Sequence, residues 1–83
     1  MEVLLYPLAT EKAIRAIESD NILTFIVDRR ASKINVKKSF EEKFKVKVVD
    51  VSTVITQTSK KKAYIRLSKE FNALDVATQL GLM

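Results

Sequence analysis

The chain has 83 residues, 47% of them apolar, and a formal net charge of +5 from 15 Lys and Arg against 10 Asp and Glu. It contains no cysteine and no histidine, which excludes a disulfide framework, a thiolate metal site, a cysteine nucleophile and the commonest general base. A chain of this size is expected to form one domain, residues 1–83, burying about 60–65% of its unfolded surface.

Val3-Leu4-Leu5-Tyr6 is a short apolar run stopped by Pro7. It predicts a first strand at a sheet edge, where proline is tolerated. Thr10 follows as a helix N-cap, with Glu11 in the first turn, where a carboxylate favours the helix dipole. Ala13, Ile14 and Ile17 give a short apolar stripe, and Glu18-Ser19-Asp20-Asn21 ends it in polar residues. Ile22–Val27 has apolar residues on both parities, so it predicts a strand with both faces at least partly covered.

Asp28–Thr56 reads as the end of that strand, a helix and a long further strand. Ser32 is the N-cap, and Val36, Phe40 and Phe44 recur every four residues as one helical stripe. From Val46 the chain is rich in Val, Ile and Thr, which suits a pleated, half-buried strand. Its apolar parity flips between Val48 and Val49. Either a β-bulge or two buried faces explains that flip.

Gln57–Lys62 is polar and basic, and it leads to Ala63–Leu67, which alternates cleanly. Ala63, Ile65 and Leu67 point one way, Tyr64 and Arg66 the other. The two strands predict an antiparallel hairpin with Lys60, Lys61 and Lys62 at its tip. Asn72 is the last N-cap, with Asp75 three residues on as a variant capping box. Ala73, Val76, Ala77 and Leu80 form the final stripe, and Gly81, the single glycine, falls where a left-handed C-cap belongs. The order strand, helix, strand, helix, strand, strand, helix predicts an α/β sandwich around a mostly antiparallel four-stranded sheet.

Charge is unevenly spread. Arg29 to Lys69 holds 13 Lys and Arg against 3 Asp and Glu, a surplus of +10, whereas the remainder holds 2 against 7, a deficit of −5. Arg29, Arg30, Lys33, Lys37 and Lys38 crowd a helix start, where cations oppose the dipole. A bound polyanion offsets that cost. A solvated lysine face is the alternative. At the hairpin, Lys60, Lys61 and Lys62 either enter a nucleic-acid groove or simply keep a turn soluble and discourage edge pairing. Tyr64 can stack on a base or pack on the surface, and Arg66 can fork onto a phosphate. Together these residues favour nucleic-acid binding.

Catalysis has little support. A phosphate-cradling loop needs glycines, and none precedes Gly81. Adjacent Glu41 and Glu42 diverge by about 100° on a helix and form no shared acid–base site. No enzyme activity, cofactor or metal is expected. No run approaches a membrane-spanning length and no signal-peptide pattern opens the chain, so a cytoplasmic protein without membrane insertion is expected.

Four segments resemble the L23 family of large-subunit ribosomal proteins: Pro7-Leu8-Ala9-Thr10-Glu11-Lys12-Ala13, Phe25-Ile26-Val27-Asp28-Arg29-Arg30-Ala31-Ser32-Lys33, Phe44-Lys45-Val46-Lys47-Val48 and Lys61-Lys62-Ala63-Tyr64-Ile65. They occur in the family's order over nearly the whole chain. The resemblance implies binding to large-subunit rRNA beside the polypeptide exit tunnel, among neighbouring ribosomal proteins. It also implies docking of the signal recognition particle or nascent-chain factors. The family's Thr/Ser-Glu-Lys motif carries the docking glutamate onto Glu11, with Glu18 further along the same helix. Its basic segment maps onto Arg29, Arg30 and Lys33, and its hairpin base onto Lys61 and Lys62. The short, glycine-free loop is similar to the archaeal type and departs from the long tunnel-reaching loop of the bacterial type. Ser52 stands where the family often has Asn. The rival readings are a non-ribosomal RNA-binding module and a homodimeric interaction domain, the latter using Ile34, which lies off the helical stripe.

Overall fold

A computed structural model describes residues 2–82. The elements follow the predicted order: β1 (Leu4–Pro7), α1 (Glu11–Asp20), β2 (Ile22–Val27), α2 (Lys33–Phe44), β3 (Val48–Ile55), β4 (Lys61–Leu67) and α3 (Ala73–Gln79). The four strands form one sheet in the order β1-β2-β4-β3, and every pairing is antiparallel.

One face of the sheet carries Leu23, Phe25 and Val27 of β2 beside Ala63, Ile65 and Leu67 of β4, all buried. The α2 stripe closes over it. The Phe40 ring meets Phe25 edge-on, with centroids 5.7 Å apart, and lies 4.6 Å from Phe44. Such pairs add to plain area burial. The opposite face is not wholly open. Thr24 and Ile26 on it are buried, and Ala13 and Ala16 of α1 border the hollow that Thr24 and Tyr64 line. Both faces of β2 are therefore covered, as its mixed parity implies.

The caps explain why the helices stop and start here. The Ser32 hydroxyl accepts from the Asn35 N–H and the Asn35 side chain accepts from the Ser32 N–H, closing a capping box. At α3 the expected box between Asn72 and Asp75 does not form among the described residues. Asn72 accepts from the Leu74 N–H, while the Ala73 N–H is taken by the side chain of Asn21. Gly81, at φ 77°, donates to the Thr78 carbonyl, and Leu82 donates to Ala77, which satisfies the last carbonyls of α3 in the Schellman pattern.

The parity flip in β3 is a bulge. The pairing slips between Val48 and Asp50, and Val49 is pushed out to 57% exposure. The strand also starts later than Val46. Lys45 turns left-handed at φ 56° to end α2, and the Glu41 carboxylate then accepts the Val48 N–H at 2.9 Å. A second bulge interrupts β1. Leu4 pairs with Val27, yet Tyr6 pairs with Ile26, so Leu5 and Tyr6 both face outward.

Candidate nucleic-acid interface

The hairpin differs from its predicted form. Lys61 and Lys62 are not at the tip but are the first residues of β4. Lys61 pairs with Val27 and Ile55, and Lys62 with Ile26 and Val54. Ladders on both sides outweigh the weak strand preference of lysine. The turn itself is Thr56–Lys60, closed by the Thr56 N–H on the Lys60 carbonyl at 2.8 Å and by Ser59 at φ 63°.

The pairing lays out the α1-side face in cross-strand rows: Ile26–Lys62–Val54, then Thr24–Tyr64–Ser52, then Ile22–Arg66–Asp50. Lys62, Tyr64 and Arg66 thus run in a line down the central strand. Tyr64 is 36% exposed between two short hydroxyl side chains and shares its hollow with Lys12 of α1 and the N-cap Thr10. A ring so placed offers a face for stacking, with a cation on each side along the strand.

At the upper end of the line, Arg29, Lys60 and Lys61 border one hollow together with Leu5, Tyr6 and Ile26. The three cations differ in freedom. The Lys61 ammonium donates to the Ala31 carbonyl at 2.6 Å, so it ties the hairpin to the turn before α2. The Lys60 ammonium donates to the Tyr6 hydroxyl at 3.1 Å. Arg29 is exposed, and no ion pair or side-chain hydrogen bond engages it among the described residues.

Arg30 is held differently. Its guanidinium donates to both carboxylate oxygens of Asp28 at 3.2 Å, and its backbone N–H donates at 2.8 Å. Those hydrogen bonds hold the Asp28 carboxyl below the usual carboxylate range and push the Arg30 guanidinium up. The pair shapes the turn and neutralises a carboxylate that stands beside the cations.

Lys33 and Lys37 lie apart from this group. They border a separate groove with Ile34, Val49, Asp50 and Val51, where α2 meets the β3 edge. Of the nine residues singled out for RNA contact, eight therefore divide into the β4 line with its upper hollow and the α2 groove, while Arg30 belongs to neither and is paired with Asp28. Glu11 and Glu18 are exposed on α1, and Glu11 pairs with Arg15 at 2.8 Å. Ile34 is 65% exposed, in keeping with its place off the stripe. Tyr6 was not singled out from sequence. Strict alternation from the buried Leu4 would send it into the core, and only the bulge at Leu5 turns it outward.

A helix-flanked antiparallel sheet with a cationic line down its central strand defines a small, basic α/β protein suited to a polyanionic partner. The family model for Ribosomal protein L23 matches residues 2–74, and the chain belongs to that family of large-subunit ribosomal proteins. It is 49% identical over 81 residues to a protein named large ribosomal subunit protein uL23 from Trypanosoma brucei brucei. The match takes in 98% of this chain and 49% of the relative, so the chain spans about half the length of that curated relative. Membership associates the protein with the large ribosomal subunit, and so with ribonucleoprotein and translation. No helix among the described residues is long and apolar enough to cross a membrane.

Proposed function

We propose that the chain is one RNA-binding domain that seats on large-subunit rRNA near the polypeptide exit tunnel, among neighbouring ribosomal proteins. The observation that carries this reading is the line Lys62–Tyr64–Arg66 on β4, extended by Lys60 and Arg29 at its upper end, in a chain of the L23 family. Lys60, Lys62, Arg66 and Arg29 contact phosphates, and Tyr64 stacks on an unpaired base. Lys61 and Arg30 chiefly hold the turns that aim them. Lys33 and Lys37 reach a second RNA strand around the β3 edge.

Counterion release makes such binding strongly salt-dependent. Six phosphate contacts correspond to a slope of log K against log salt of roughly −4 to −5. Titration of large-subunit rRNA with the purified chain measures it. Replacing Arg29 or Lys62 with Glu should flatten the slope by about one contact's share, near 0.7–0.9 each. A slope near zero for the unaltered chain would sink the reading.

The exposed acidic residues of α1 support a second role, docking of the signal recognition particle or nascent-chain factors through Glu11 and Glu18. Glu11→Lys should weaken recruitment of these factors to ribosomes while leaving incorporation into the large subunit intact. Co-sedimentation of factor and subunit separates the two. Failed incorporation would instead make Glu11 an RNA-proximal or structural residue.

A further inference from the structure

We infer that the hollow between β1 and the β3–β4 turn receives one unstacked base of the bound RNA, with its flanking phosphates on Arg29 and Lys60. The inference rests on the RNA-binding reading and adds to it a discrete base site away from Tyr64.

The hollow has a volume of about 270 Å³. Its wall is apolar: Leu5 is 47% and Tyr6 41% exposed, above the buried side chains of Ile26 and Val27. Its rim is cationic, with Arg29 on one side and Lys60 on the other. The carboxylate at the rim, Asp28, has both oxygens engaged by Arg30 and so opposes a phosphate little. An apolar slot between two cations matches a nucleotide, whose base has two apolar faces and whose backbone carries a phosphate on either side.

The Tyr6 ring is ready for stacking. The Lys60 ammonium lies 5.8 Å from the ring centroid and 3.1 Å from the hydroxyl oxygen. The longer distance is close to the shorter one plus the span from ring centre to oxygen. The ammonium therefore sits beyond the hydroxyl, near the ring plane, and leaves the π-faces clear. The same bond fixes the ring's orientation before RNA arrives, and the Lys61 bond to Ala31 braces the opposite wall. Little ordering remains to be done on binding, which favours affinity.

The test uses the full chain and a transcript of large-subunit rRNA. Tyr6→Leu should weaken binding about tenfold at fixed salt, the effect of losing one stacked base. The slope of log K against log salt should stay unchanged, because no phosphate contact is removed. Tyr6→Phe should retain most of the affinity. Tyr6 and Tyr64 are the two tyrosines and there is no tryptophan. In a Tyr64→Phe chain the tyrosine emission then comes from Tyr6 alone, and RNA should quench it. Wild-type affinity for Tyr6→Leu, or unquenched emission in a chain that binds, would overturn the base site while leaving the RNA-binding reading standing. Absence of salt-dependent binding by the unaltered chain would remove both.

Discussion

Replacing Asn21 with alanine is expected to lower stability by about 3–4 kcal/mol, the sum of lost hydrogen bonds and backbone strain. Asn21 ends α1 in the left-handed region at φ 58°. Its side-chain oxygen accepts the Ala73 N–H at 2.7 Å, and its side-chain nitrogen donates to the Phe71 carbonyl at 2.9 Å. Longer approaches reach the carbonyls of Leu67 and Ser68. One amide thus joins the end of α1, the end of β4 and the start of α3. Alanine leaves these part-buried groups unpaired and also pays the left-handed penalty. Asn21→Gly removes the bonds but not the allowed backbone, so it should be milder by about 1 kcal/mol. Thermal unfolding reads both, with roughly 4–8 °C of Tm for each kcal/mol in a domain this small. Equal losses for the two variants would show that the backbone conformation contributes nothing.

Phe40→Ala is expected to cost about 3–5 kcal/mol, the range for emptying an aromatic site in a packed core. Phe40 has no exposed surface and touches the rings of both Phe25 and Phe44. The whole stability of a chain this length is on the order of 4–12 kcal/mol. The variant should therefore lose about a quarter of that stability or more. Phe40→Leu keeps most of the volume and should lose less. Urea titration with fitted midpoints distinguishes them, and an alanine variant within 1 kcal/mol of the unaltered chain would mean that the Phe25–Phe44 pair closes the gap.

Most of the fold was legible because local signals agreed with one another. Thr10, Ser32 and Asn72 all cap helices, and the four-residue spacing of Val36, Phe40 and Phe44 marks the buried stripe of α2. The alternation in Ala63–Leu67 gave its inward and outward faces without help. What stayed hidden depends on pairing partners. Whether Lys61 and Lys62 belong to a turn or a strand is decided by Val27, Ile26, Val54 and Ile55 on either side of them. The left-handed residues Asn21 and Lys45 end helices, and Ser59 closes the β3–β4 turn, all without glycine, so the usual marker is missing. The candidate interface was legible as a set of cations but not as a geometry. Sequence gives Lys60, Lys61, Arg29 and Arg30 equal standing. The fold assigns two of them to hydrogen bonds within the turns, and it adds Tyr6 through a bulge that no periodicity announces.

The paired interruptions in β1 and β3 bear on how two copies of the sheet could meet. A sheet with a straight, unbroken margin is prone to pair edge to edge with copies of itself. Here each outer margin is kinked at one residue, Leu5 on one side and Val49 on the other. A strand added at either margin meets a break in register, which discourages edge-to-edge growth.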